Sequence, residues 1–269
     1  MLLAAQNVQT LQIKLIYRGE SLVNLQDKLN TSDQVELLGR LFYFGDKAKH
    51  FMIQRLREQI ASGEAYRIES VSRELFIHIF SKYAAALRQK DTVILQFIKN
   101  NQPFSQEVLD SKNRKRVLEQ IFALSDYDKL VIRDYLLRSL HHLGKRGMGN
   151  RSLFVSTTTR RKVSKKFSQA AGGVQIFGWE PVTRISDAIK DDETRILNSI
   201  KLSPIRVSFY PRQQEISLKG GVLPHFIIGL AEQRTKTFNI NPHIFTQRQI
   251  TTNTFRDGLD IDQRDFHNR

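Results

Sequence analysis

The chain has 269 residues, no cysteine and a formal net charge of +15, with a sequence pI near 10.1. That length supports a sizeable core and up to two compact units. The lack of cysteine excludes disulfides, thiolate metal sites and a cysteine nucleophile. Hydrophobic residues make up 40% and aromatics 9%, as in an ordinary folded protein, and no apolar run approaches the ~20 residues of a membrane span. The opening Met1-Leu2-Leu3-Ala4-Ala5 lacks the charged region of a secretory signal, so a soluble, cytoplasmic protein is expected. The excess of positive charge favours a polyanionic partner.

Val8 to Tyr17 is rich in Leu and Ile and reads as a strand ending in Tyr17-Arg18-Gly19-Glu20. An Arg at a strand end, before a Gly that lets the backbone turn, can aim its guanidinium into a cleft; it equally suits a surface position. From Ser32 to Leu143 glycine is scarce, and apolar residues recur at three and four. Leu75, Ile79, Tyr83 and Ala86 form one stripe; Ile132, Leu136, Leu140 and Leu143 form another. Four to six helices are expected there, with Ser125 capping one and Gly144 ending it. His78, His141 and His142 fall in these helices without metal-ligand spacing, and read as packing or surface residues.

Gly144 to Arg151 is a basic, Gly-rich linker without the Gly-Lys-Ser/Thr ending of a phosphate loop. Ser152 to Thr159 reads as a strand running into hydroxyls, and Arg160 to Ala171 as a short helix with Val163 and Phe167 inward. A second helix is expected near Asp187 to Ile200. Strands around Val207, Glu215 and Ile227 complete the sheet, and the polar stretch from Thr251 reads as a tail. In Tyr210-Pro211-Arg212-Gln213-Gln214-Glu215, side chains two apart on an extended segment share a face, so Gln213 and Glu215 project together.

Arg18 on one strand, Ser156-Thr157-Thr158 on a second and Gln213-x-Glu215 on a third stand in an order that resembles the Arg-Ser-Glu class of mono-ADP-ribosyltransferases, the cholera-toxin-like and C3-like toxins. Phe167 stands eleven residues after Ser156, where that family carries a buried aromatic. Tyr210, Gln213 and Glu215 match its aromatic-x-x-Gln/Glu-x-Glu target-recognition loop. The likeness covers roughly residues 8–20 and 150–230. Three departures stand out. The interval from Arg18 to Ser156 is long, Thr158 replaces a Ser, and the family's helix ahead of the Arg strand has no counterpart in the 17 residues before Arg18.

The resemblance implies an α+β fold. A split, mixed β-sheet core (1–31 and 145–250) would carry a large all-helical insertion (32–144) and a tail (251–269). It implies an NAD-dependent transferase acting as a toxin, toxin–antitoxin or phage-defence effector, with NAD as substrate and no metal. Glu215 would stabilise the cationic ribose, Ser156 would hold Glu215, and Gln213 would face the acceptor. Arg18 would bind NAD phosphate or ribose with its planar fork, beside Gly19, Thr157, Thr158 and Phe167. A Gln at 213 goes with acceptors other than arginine.

Charge distribution bears on the acceptor. No acidic residue lies between Asp134 and Glu180, while Arg138, Lys145, Arg146, Arg151, Arg160, Arg161, Lys162, Lys165 and Lys166 do. This run, extended by Lys112, Arg114, Lys115 and Arg116, fits a phosphate track; with Tyr210, the residues Arg160, Arg161, Lys165 and Lys166 are the expected target contacts. It also fits a solvated face or a dock for an acidic antitoxin or inhibitor. Nucleic acid, with RNA favoured, is the expected acceptor, and no membrane partner is expected. A protein side chain as acceptor, or a non-catalytic nucleic-acid-binding protein, are the other readings.

Overall fold

In a computed structural model, the described residues are 13–46, 71–89, 91–147, 152, 154–168, 172–181, 190–205 and 215–244. Strand β1 (Ile13–Glu20) leads into α1 (Leu22–Leu29) and α2 (Gln34–Phe44). Each of these helices starts on a side-chain cap: Ser21 accepts from the Asn24 N–H, and Asp33 from that of Glu36. Then come α3 (Arg73–Leu87), α4 (Thr92–Asn100), α5 (Gln102–Leu109), α6 (Ser111–Phe122) and α7 (Asp126–His142). The second half alternates: β2 (Phe154–Thr158), α8 (Arg161–Ser168), β3 (Val174–Pro181), α9 (Asp191–Ser199), β4 (Glu215–Lys219), β5 (Ile227–Glu232) and β6 (Phe238–Ile240).

The strands form one six-stranded sheet in the order β4-β2-β1-β3-β5-β6. An α+β architecture is thus present, but the expected mixed sheet is antiparallel at every described pairing. The long helical connection from β1 to β2 joins antiparallel neighbours, whereas α8 and α9 join strands that are not adjacent in the sheet. β1 is central and pairs with β3 along its whole length, from Ile13–Pro181 to Glu20–Val174. Its ladder with β2 holds at one position only, Tyr17 opposite Thr158. Beyond that pair the strands part, and the sheet opens.

Two apolar clusters organise the chain. The first joins α3 to α7 and contains both expected stripes, with Leu75, Ile79, Tyr83 and Ala86 buried against Ile132, Leu136, Leu140 and Leu143. Truncating one such Leu or Ile to Ala costs about 2–5 kcal/mol, so this packing fixes where the end of α7 emerges. Ser125 caps α7 through the Asp128 N–H, and Gly144 follows its last turn at φ +58°. The second cluster sets Leu25 and Leu29 of α1 and Leu37, Leu41 and Phe42 of α2 against sheet residues such as Ile16, Val155 and Ile216.

Two helices pack away from their neighbours in the chain. Helix α2 packs on the sheet beside β5 and the turn at Pro224–Phe226 that precedes it. Helix α9 and Leu202 and Ile205 beyond it bury their apolar side chains in the helical cluster. Among the described residues, no helix is long and apolar enough to cross a membrane.

Candidate active site

Register decides which side chains can meet. Tyr17 opposes Thr158, Thr158 opposes Glu215, and Ser156 opposes Ser217, so Tyr17, Gly19, Ser156, Thr158, Glu215 and Ser217 share one face. Arg18 and Glu20 leave β1 on the other face, with Ile16 against α1 and α2. In a continuous ladder the sheet would separate Arg18 from Glu215. Where β1 and β2 part, the Arg18 guanidinium reaches the gap and donates from Nη1 to the Ser156 carbonyl at 2.8 Å. That carbonyl has no strand partner on the β1 side, and the arginine satisfies it. A cavity of about 470 Å³ results, lined by Arg18, Gly19, Ser156, Thr157, Thr158, Phe167 and Glu215, together with His141, His142 and Lys145. This is within the usual range for ligand pockets.

Arg18 is only 13% exposed and is held on its other edges by carboxylates. Nε lies 3.0 Å from Asp46 Oδ2, and Nη2 is 3.4 Å from both oxygens of Glu20. Asp46 is fully buried, and its Oδ1 accepts the Val222 N–H at 2.7 Å, which ties the end of α2 to the turn after β4. Glu20 is also paired with Lys28 of α1. Burial alone would lower the Arg18 pKa, but Glu20, Asp46 and then Glu215 hold it above its ordinary value. Nη1 carries a second proton beyond the one given to Ser156, so the guanidinium keeps donor capacity beside the cavity.

On the opposite wall, Ser156 Oγ donates to Glu215 Oε1. The hydroxyl has one proton, so it accepts from His141 Nε2, 2.9 Å away. His142 Nδ1 stands 3.5 Å from Glu215 Oε2, and its Nε2 is 3.2 Å from Ser217 Oγ. Burial pushes the Glu215 pKa up. Proximity to His142, the Ser156 hydroxyl and His141 outweighs it, and the carboxyl sits below its ordinary range. The group is therefore an ionised carboxylate at neutral pH, 11% exposed at the foot of the cavity.

Several expectations are corrected here. His141 and His142, read as packing or surface residues, both reach the Ser156–Glu215 pair. The buried Leu140 and Leu143 on either side aim them at the sheet, and a short connection to β2 could have suggested the return. Gly19 does not turn the chain, because β1 runs on to Glu20. A Cβ there would lie 1.8 Å from the Ser164 carbonyl oxygen, so glycine is required by the close approach of α8. The same proximity leaves room only for Ser164 and Ser168 beneath the helix, so Phe167, expected buried, is 55% exposed at the cavity and Val163 is half-buried.

Thr157 and Thr158 line the cavity, but their hydroxyls serve the backbone. Thr157 donates to the Ile216 carbonyl at 3.0 Å, and Thr158 accepts the Arg160 N–H at 3.0 Å. Arg160, Lys162, Lys165 and Lys166 are exposed, whereas Arg161 lies over the Phe177 ring, 5.1 Å from its centroid. In the second basic cluster, Arg114 binds the Val108 carbonyl and Arg116 the Ile200 and Lys201 carbonyls, so both are tied to the fold. Arg138 and Arg146 are matched by Glu193 and Asp91. Tyr210 and Gln213 lie outside the described residues. Among the described residues, no cluster of His, Asp and Glu is set to hold a metal ion. Comparison with family models, with curated proteins and with solved structures finds no match to this chain.

Proposed function

We propose that the chain is an ADP-ribosyltransferase that moves ADP-ribose from NAD to a nucleic acid, RNA favoured. One observation carries the reading: a single cavity joins Arg18, Ser156 and Glu215, with Ser156 bonded to Glu215 and Arg18 to the Ser156 carbonyl. In the reaction, the bond from ribose C1′ to the nicotinamide nitrogen breaks, and its electron pair leaves with neutral nicotinamide. A new bond forms from C1′ to the acceptor, whose proton passes to solvent or a nearby base. The transition state is oxocarbenium-like, so an ionised carboxylate close to the ribose stabilises it. Glu215 is such a carboxylate. Arg18 offers its remaining donors to the pyrophosphate, and Phe167 supplies an exposed ring at the cavity for a base to stack on.

The basic side chains support a nucleic-acid acceptor. Helix α8 borders the cavity through Val163, Ser164 and Phe167 and exposes Lys162, Lys165 and Lys166 beside it. The test is incubation with labelled NAD and a cell lysate, with and without RNase. Label that RNase removes supports the reading. Label that stays on protein overturns the acceptor and favours a protein side chain. No turnover of NAD by the purified protein overturns the enzyme.

A further inference from the structure

The two oxygens of Glu215 are held differently. Oε1 takes the Ser156 hydroxyl, while Oε2 faces His142 Nδ1 at 3.5 Å. Contacts of this kind are often long before substrate binds. The far nitrogen of the same ring, Nε2, lies 3.2 Å from Ser217 Oγ. Ser217 is two residues from Glu215 on β4 and so projects from the same face. The imidazole, 10% exposed, thus sits between a carboxylate and a hydroxyl of one strand, hydrogen-bonded at Nε2 and with Nδ1 facing Oε2.

Its protonation state follows from what each neighbour can do. A neutral ring with its proton on Nδ1 points a donor at Glu215 and an acceptor at the Ser217 O–H, which suits both contacts. The other neutral tautomer sets a bare lone pair against the carboxylate. A doubly protonated ring suits Glu215, but it offsets the negative charge that the proposed reaction uses. Besides His142, the groups acting on Glu215 are His141 from α7, Ser156 from β2 and Arg18 through the gap from β1.

We propose that Ser217 and His142 form a positioning arm that holds the ring as its neutral Nδ1–H tautomer, so that Glu215 is oriented without losing its charge. The purpose of the arm rests on the transferase reading, but its geometry does not.

Two measurements on the full chain decide the matter. The first is nicotinamide release from NAD at neutral pH for the parent, His142→Gln and His142→Leu. Gln keeps an N–H for Oε2 and should retain most of the rate, whereas Leu fills the space without a donor and should lose about tenfold. A role in packing alone would spare His142→Leu and lower His142→Gln instead. The second is the ring ¹⁵N spectrum, which needs no turnover. The parent should show Nδ1–H for His142, and Ser217→Ala a mixture of tautomers. An Nε2–H ring in the parent, or one indifferent to Ser217→Ala, overturns the arm. Nicotinamide release alongside an Nε2–H ring sinks the arm and leaves the transferase. An Nδ1–H ring in a protein that releases no nicotinamide keeps the arm and sinks the transferase.

Discussion

The two faces of the sheet hold their functional side chains by opposite means. On the α1–α2 face, Arg18 is matched by full charges: Glu20, Asp46 and, through Glu20, Lys28. On the α7–α8 face, Glu215 is met by a hydroxyl and two imidazoles. The first arrangement fixes a guanidinium at the gap between β1 and β2, because a buried ion pair is stiff and costly to break. The second orients a carboxylate while leaving its charge largely uncompensated. A binding group benefits from the first and a group that stabilises a developing cation from the second. The gap brings both side chains to one cavity, as the proposed transfer needs.

Removing Asp46 breaks the first face. Asp46→Ala would leave the buried Arg18 charge without one of its two carboxylates and the Val222 N–H without its acceptor, and truncation of one partner of a buried pair costs about 3–5 kcal/mol. Denaturant unfolding should show that loss; a change below about 1 kcal/mol would mean that Asp46 does not anchor Arg18. The matched change on the second face is Glu215→Gln. It keeps size and hydrogen bonding but removes the charge, and should slow NAD cleavage by about 10²–10³ with little effect on stability. If it turns over NAD as fast as the parent, the catalytic assignment of β4 is wrong. Arg18→Lys lies between the two. An ammonium cannot serve Ser156, Glu20 and Asp46 together, so stability should fall and NAD affinity weaken in calorimetric titration.

Gly19→Ala sharpens the comparison from the backbone. Overpacking typically costs about 1–3 kcal/mol, and here α8 would have to move off β1. Thermal unfolding should show the loss, and NAD affinity should fall with it because Phe167 and Val163 move too. Acid separates the faces further. Burial raises the Glu20 pKa, but the Arg18 and Lys28 charges and hydrogen bonds outweigh it, so the folded value lies below the unfolded one. Its contribution to stability is therefore complete above about pH 4.3 and is lost as pH falls through the folded value. Glu20→Gln should flatten the stability profile there.

The helical unit was legible in the sequence because its stripes and caps are local: Leu75 to Ala86, Ile132 to Leu143 and Ser125 are where periodicity placed them. Arg18, Ser156 and Glu215 were legible as strand residues, but not as residues of opposite faces, since that depends on register between strands far apart in sequence. His141 and His142 were missed for the same reason: a helix end shows its direction only once its partner is known. Phe167 was misread because a period of three or four marks the apolar face, whereas the inner face of α8 is lined by Ser164 and Ser168 to let it close on Gly19.

The smallest expected effect tests where the acceptor lies relative to the two faces. Arg161 lies over Phe177, and Arg138 and Arg146 are matched by acids; besides Lys145 on the cavity wall and Arg160 ahead of α8, the exposed positive charge beside the cavity is that of Lys162, Lys165 and Lys166 on α8. Replacing these three with Gln removes exposed side chains and should leave stability within about 0.5 kcal/mol. NAD cleavage without acceptor should also persist, because Arg18 and Glu215 are untouched. Binding to single-stranded RNA should weaken alike across sequences, and the slope of log affinity against log salt should fall by roughly 0.7 per phosphate contact removed. Arg161→Gln should instead lower stability, through loss of its contact with Phe177, and change the slope less. If the three lysines leave both RNA affinity and its salt slope unchanged, α8 does not carry the acceptor, and the exposed charge of that helix serves solubility or an acidic protein partner instead.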